Sequence, residues 1–251
     1  MLSTSKERVI RFGAILFWLL VWHLASLVIA EELFLPSPYS VVLRLFELLL
    51  ETSFWSSVLF SLERVALGFV TSLLLSIVLA ILSYRHRLFE LLVEPLMKTI
   101  KATPVASIVI LILVWVNSRN LSVIISMLIV LPVIYTNVLE GLKESDENLL
   151  EMASMYKVRG LKKARYIYLP KVAPYYLSGL KIALGLSWKS AIAAEVIGMP
   201  DGSIGERLYE AKVYLSTPDL FAWTVVIIFL AVLFEKAFLM ISKKAIEEAI
   251  R

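Results

Sequence analysis

Lys189 and Glu195 are the main charges inside an apolar stretch of this chain. A charge in a bilayer costs on the order of 3 kcal/mol on insertion scales, so it faces a cavity or a partner. The two are six residues apart. That is about 120° around a helix of 3.6 residues per turn, so they do not share a face and a direct salt bridge between them is not expected. Lys189 either pairs with a carboxylate elsewhere or faces open space that would suit an anion. Glu195 then caps the outer end of its helix. Catalytic sets are missing. There are no cysteines, and His23 and His86 are isolated and cannot by themselves build a zinc site. No acid, base or metal set clusters at one membrane face, so a membrane enzyme has no residues to work with. No G-x4-G-K-[ST] phosphate loop occurs, so if ATP drives this protein another chain binds it.

The elements that position these charges are helices in a membrane. The chain has 251 residues and is 59% hydrophobic, with mean hydropathy +0.82. Soluble domains are nearer half apolar. The net charge of +4 matters less than its placement, since Lys and Arg mark cytoplasmic loops; it is not a nucleic-acid signal. The expected fold class is an all-α polytopic membrane protein, one domain over residues 1–251. About six spans run roughly Phe12–Ala30, Leu62–Ser83, Leu91–Val116, Leu121–Leu139, Pro174–Gly198 and Leu220–Ile241, at about 20 residues per crossing. Lys6, Arg8 and Arg11 precede the first span and Glu31 and Glu32 follow it, so both termini are expected inside. No small-residue cleavage site follows that span, so it is read as retained.

Leu35-Pro36-Ser37-Pro38 must break the chain, because proline cannot continue a helix. Tyr39–Glu51 reads as an amphipathic helix on the outer surface or a packed connector. Arg44 is then the one sign that disagrees with the topology. Thr103-Pro104 predicts a kink or break within the third span. In the fifth span Gly179, Ala183, Ser187 and Ala191 are spaced four apart and Glu195 continues the row. Small residues so spaced let helices approach closely, within one subunit or between two. Trp115, Tyr135 and Trp188 could line an open path or pack. Trp18 and Trp22 suit lipid contact or packing, Lys181 suits snorkelling at the inner end, and Glu63 and Arg64 either pair with other helices or stay solvated.

Between the fourth and fifth spans lies Glu151–Pro170, EMASMYKVRGLKKARYIYLP, polar and basic within the inner loop Gly141–Tyr168. Ser145-Asp146-Glu147 is a good helix start, and Leu149, Leu150, Ala153 and Tyr156 recur at helical spacing. The stretch resembles the E-A-A-x3-G-x9-I-x-L-P signature of permease subunits in bacterial ABC importers. Glu151, Ala153, Ile167, Leu169 and Pro170 fit it. Met152 replaces an alanine, and Lys157 stands where that family has glycine. The nearest glycine is Gly160, so the turn there is expected to be shifted or reshaped.

Leu35-Pro36-Ser37-Pro38, Ser61-Leu62-x-Arg64-Val65-x-x-Gly68, Ala183-Leu184-Gly185-x-x-Trp188, Ala194-Glu195 and Gly202-Ser203-Ile204-Gly205 resemble the nitrate/sulfonate/taurine branch. The resemblance implies an all-helical importer core with cytoplasmic coupling helices, in a bacterial inner membrane. It implies a second permease copy, two ATPase subunits and an extracytoplasmic solute-binding protein as partners, besides lipid. ATP and Mg would sit on the ATPase, with no cofactor on this chain. Met155 and Tyr156 would enter a groove of that ATPase, with Glu151 holding the geometry. Ser187, Trp188, Lys189 and Glu195 would then belong to a translocation path or gate for a small anion. The competing use is a stand-alone secondary carrier with Lys189 and Glu195 as an ion or proton relay, which would lack the repeated halves common in such carriers.

Overall fold

The computed structural model describes residues 4–145, 147–158 and 160–250, and among these every regular element is helical. In chain order they are α1 (Thr4–Ile29), α2 (Pro38–Leu50), α3 (Thr52–Arg85), α4 (Arg87–Ala102), α5 (Val105–Leu113), α6 (Leu121–Lys143), α7 (Glu147–Met155), α8 (Leu161–Lys163), α9 (Leu169–Gly198), α10 (Ile204–Val213) and α11 (Thr217–Ile250). Asp146 and Arg251, and the side chains of Lys6, Arg8, Arg11, Glu147 and Leu150, lie outside the described set.

The punctuation follows from residue chemistry. Ser37 caps α2 by accepting from Ser40 N at 3.1 Å, and Pro38 takes the first helical position, where its missing N–H is not needed. Pro170 likewise sits in the first turn of α9, with no side-chain cap before it, so the last residues of the loop signature fall at that helix's start. That start precedes the expected Pro174, which lies inside the helix.

The third expected span is not one helix. Thr103 is extended, as a residue before proline tends to be, and α4 and α5 meet at a bend of 104°. Four helices, α1, α3, α6 and α11, are long and apolar enough to cross a membrane, and the bent α4–α5 pair would make a fifth. α9 has the length, 30 residues, but Lys171, Lys181, Lys189 and Glu195 interrupt its apolar character.

α9 packs against α3, α5, α6, α10 and α11. Its tightest partner is α6, and α6 in turn packs along α3. The small-residue row sits in this seam. Gly179 lies against Asn137, and a Cβ there would come within 2.8 Å of it. Ser187 Oγ meets Ser126 Oγ at 2.8 Å. Ala183 and Ala191 are fully buried, so the whole row packs inside this chain.

A serine stripe on α3 meets α6 in the same way. Ser72 donates to Met127 O at 2.8 Å and Ser76 to Leu131 O at 3.0 Å. Such short polar side chains join helices at close range where lipid offers no hydrophobic drive. Gly68 completes the contact, leaving no room for a Cβ beside Val123 O. α1 stands apart, touching the bundle mainly through Trp22. That indole donates to Pro36 O at 3.1 Å and stacks on Phe221, while Trp18 is exposed.

Candidate functional site

The two intramembrane charges lie on different faces of α9. Glu195 is completely buried. Its Oε2 accepts from Ser61 Oγ at 2.6 Å and from Gly205 N at 3.3 Å. Ser61 Oγ in turn accepts from Ile204 N at 3.0 Å, and Ser203, the N-cap of α10, accepts from Glu206 N at 3.0 Å. The first amides of a helix have no partner within it. Here Ser61 of α3, Glu195 of α9 and the cap itself each satisfy one. The expectation was that Glu195 caps the outer end of its own span; the helix end it serves is the N-terminus of α10. Two stretches far apart in the chain, at Ser61 and at Glu195–Gly205, thus converge on one buried node.

Lys189 is exposed and makes no ion pair among the described residues. It belongs to an open stripe that runs the length of α9: Lys171, Ser178, Lys181, Leu186, Lys189 and Ala193. Lys181 and Lys189 are about 12 Å apart along the axis at 1.5 Å per residue. A relay through Lys189 and Glu195 has no geometry here, since one group faces out and the other is sealed against α3 and α10.

The aromatic candidates separate likewise. Trp188 is 1% exposed, donates to Ile227 O at 3.0 Å and packs on Phe234. Tyr135 is buried, with its hydroxyl 2.9 Å from Ser83 Oγ. Both fill the interior of this chain, while Trp115 is 77% exposed beyond the end of α5.

Arg44 is not a bare charge. Asp219 lies 2.5 Å away, Glu47 2.8 Å and Glu51 3.6 Å, so it ties α2 to the start of α11. Arg64 donates to Arg119 O at 2.7 Å and lies over the Phe60 ring.

In the cytoplasmic-type loop, α7 ends in a Schellman turn: Val158 N bonds to Ala153 O at 2.8 Å, around Lys157 at φ 58°. Lys157 therefore adopts the left-handed backbone that glycine favours. A second positive φ, 59°, falls at Gly160. A left-handed conformation costs a non-glycine residue about 1–2 kcal/mol. Lys157→Gly is therefore expected to stabilise the loop by about 1 kcal/mol, read as slower amide exchange at Tyr156–Val158 with unchanged exchange in α6. Equal exchange in both proteins would mean that the turn is not strained.

After Gly160 the chain runs through α8 and a π-turn at Ala164–Tyr168 directly into α9. Ala153 is buried, Ile167 and Leu169 are half-buried, and Pro170 is exposed. Met155, Tyr156 and Leu161 are 80%, 77% and 89% exposed. Glu151 is exposed and engaged in an interaction. Burial, with the hydrogen bond shared with Tyr84, pushes the Tyr168 phenol above its ordinary range, while Lys163 and Arg85 pull the other way.

The sequence reading missed the serine stripe of α3, whose recurrence at 57, 61, 72, 76 and 83 was the available signal, and the convergence on Glu195.

An all-helical bundle with several membrane-length apolar helices, a charged face along a central helix and a basic loop leading into that helix has the form of a transport protein's membrane component. A family model described as the binding-protein-dependent transport system inner membrane component matches residues 72–251. The chain belongs to that family, as an ABC importer permease of the nitrate/sulfonate/taurine branch. It is 25% identical over 209 residues to the putative aliphatic sulfonates transport permease protein of Bacillus subtilis (strain 168), covering 82% of this chain and 75% of that one. Its identity to the protein of that description in Escherichia coli (strain K12) is 30% over 199 residues, 78% of this chain and 75% of that one. With the bicarbonate transport system permease protein of Synechococcus elongatus it shares 27% over 212 residues, 79% and 75% of the two chains.

Proposed function

We propose that this chain forms the translocation path of an ATP-driven importer for a small anion and docks a separate ATPase subunit through Glu151–Pro170. Two copies would face each other across the path, in a bacterial inner membrane with both termini cytoplasmic. A solute-binding protein delivers the solute outside, and ATP and Mg bind the ATPase alone. The observation that carries the docking half is the exposure of Met155, Tyr156 and Leu161 in a loop joined directly to α9. An exposed apolar helix end is suited to a groove in a partner. Because α8 and the π-turn run into α9 without a break, a docked loop that moves would pull that helix with it. The anion half is supported by lysines on the open face of α9 that make no ion pair among the described residues, and by relatives whose names include sulfonates, taurine and bicarbonate.

Co-purification in mild detergent with the ATPase encoded nearby tests the docking. Wild type captures it, and Glu151→Lys and Met155→Asp each lower capture at least tenfold, about 1.4 kcal/mol of binding. Equal capture by Met155→Asp and wild type would place the ATPase elsewhere on the chain.

A further inference from the structure

Two adjoining cavities open at the basic end of the bundle, between α3, α6, the start of α9 and the last turns of α11. Their volumes are about 520 Å³ and about 370 Å³. Ile77, Val138, Leu169 and Val172 line both, so they form one crevice. Each volume is in the range, roughly 300–1,000 Å³, of sites that hold small molecules. The wall is aliphatic for most of its length, and left empty it would lack dispersion partners on its open side.

Charge is confined to one end. Arg165 lines the wider cavity beside Tyr168. The Lys163 ammonium is 5.8 Å from the centre of the Tyr168 ring, and Arg85, ending α3, is near enough to act on the Tyr168 hydroxyl. The acids closest in sequence to the α11 wall, Glu247 and Glu248, are exposed, and Glu248 is 3.9 Å from Lys244. Among the described residues no carboxylate lines either cavity.

We infer that this crevice holds one anionic phospholipid of the inner leaflet, with an acyl chain between α3, α9 and α11 and its phosphate at Arg165. The chemistry is complementary at both ends: a long apolar slot, and a cation cluster where the headgroup region begins. Basic pockets between helices on the cytoplasmic side recognise anionic headgroups in this way. The bidentate fork of arginine suits a phosphate oxygen pair. The orientation follows from the basic clusters at Arg85, Arg87, Lys162, Lys163, Lys243 and Lys244, which mark this end as cytoplasmic.

The test is thermal unfolding of the purified full-length permease in mild detergent, without ATPase, so that it succeeds or fails independently of docking and transport. Dioleoylphosphatidylglycerol is expected to raise the apparent melting temperature by on the order of 5 °C, as a ligand near saturation does at this size. Dioleoylphosphatidylcholine should do markedly less, and glycerol 1-phosphate nothing. Arg165→Gln should bring the phosphatidylglycerol response down to that of phosphatidylcholine, and Arg165→Lys should keep part of it. Ala245→Phe, which narrows the slot from the exposed end of α11, should abolish the response to both lipids. Three results would overturn the assignment: equal shifts from the two lipids, a phosphatidylglycerol preference that survives Arg165→Gln, or a full shift from glycerol 1-phosphate alone. A lipid response unchanged in Arg165→Gln together with lost ATPase capture would make this surface part of the ATPase contact instead.

Discussion

Gly205→Ala is expected to unseat α10 and to cost far more stability than the same methyl added at Gly185. A Cβ at this position would lie 2.3 Å from Glu195 Cβ, 2.4 Å from Glu195 C and 2.5 Å from Val196 N. Two of these atoms are backbone in the last turn of α9, so no rotamer change relieves the clash. α10 must move off α9. That separates Gly205 N from Glu195 and Ile204 N from Ser61, adding the cost of unmet buried groups to overpacking. Overpacking costs about 1–3 kcal/mol and each unmet buried group about 1–3 kcal/mol. At roughly 2–4 °C per kcal/mol for a chain of this size, the apparent melting temperature in detergent should fall by about 10 °C.

Gly185→Ala on the same α9 is the control. Nothing lies within 4 Å of its Cβ position, and alanine in a helix is favoured over glycine by about 0.5–1 kcal/mol. It should match or exceed wild type. Glu195→Leu should fall between the two, since it removes the acceptor for two donors without adding a clash. If Gly205→Ala melts with wild type, α10 does not rest on α9 as described.

The node shows what could and could not be read beforehand. Glu195 stood out as a charge in an apolar stretch, and its separation from Lys189 around the helix followed from spacing alone. Its partner Ser61 is 134 residues away, and no local pattern announces a pairing of that range. The chain break at Leu35-Pro36-Ser37-Pro38 was legible because proline acts locally. At Thr103-Pro104 the break was legible but not its angle, which depends on where α4 and α5 find packing partners. The row from Gly179 to Ala191 admitted either an internal or an intersubunit contact, and only the placement of Asn137 and Ser126 opposite it decides for the former. Trp188 and Tyr135 could have faced either way by spacing; their hydrogen bonds to Ile227 and Ser83 hold them in the core. At Lys157 the residue type argued against a left-handed turn, while the hydrogen bond from Val158 to Ala153 requires one.

Lys189→Glu is expected to reduce uptake at least tenfold while leaving ATPase capture at the wild-type level. Lys189 lies on the open face of α9, nine residues before its end at Gly198, so about 13 Å of helix separates it from the outer boundary. At that depth an ammonium group facing hydrocarbon would be costly, and no carboxylate in the described residues offsets it. On the function proposed above, Lys189 would instead face an aqueous cavity between α9 and a partner copy, the route proposed for the solute. Two unit charges 4 Å apart interact by about 4 kcal/mol at an effective dielectric constant of 20. Reversing the sign turns attraction into repulsion, and a quarter of that change already exceeds the 1.4 kcal/mol of a tenfold effect. Lys189→Arg should keep much of the uptake, because the charge and the reach remain.

Lys189→Gln discriminates this role from a structural one. A lysine holding the bundle together through a buried ion pair would cost 3–5 kcal/mol on neutralisation, whereas a path-lining lysine without a partner should cost no stability and still lower uptake. The measurement is uptake into proteoliposomes holding the assembled importer, with a panel of aliphatic sulfonates, taurine and bicarbonate, beside the melting temperature of each variant. Full uptake by Lys189→Glu would take this lysine off the path. A fall in melting temperature that tracks the fall in uptake would assign it to the architecture instead.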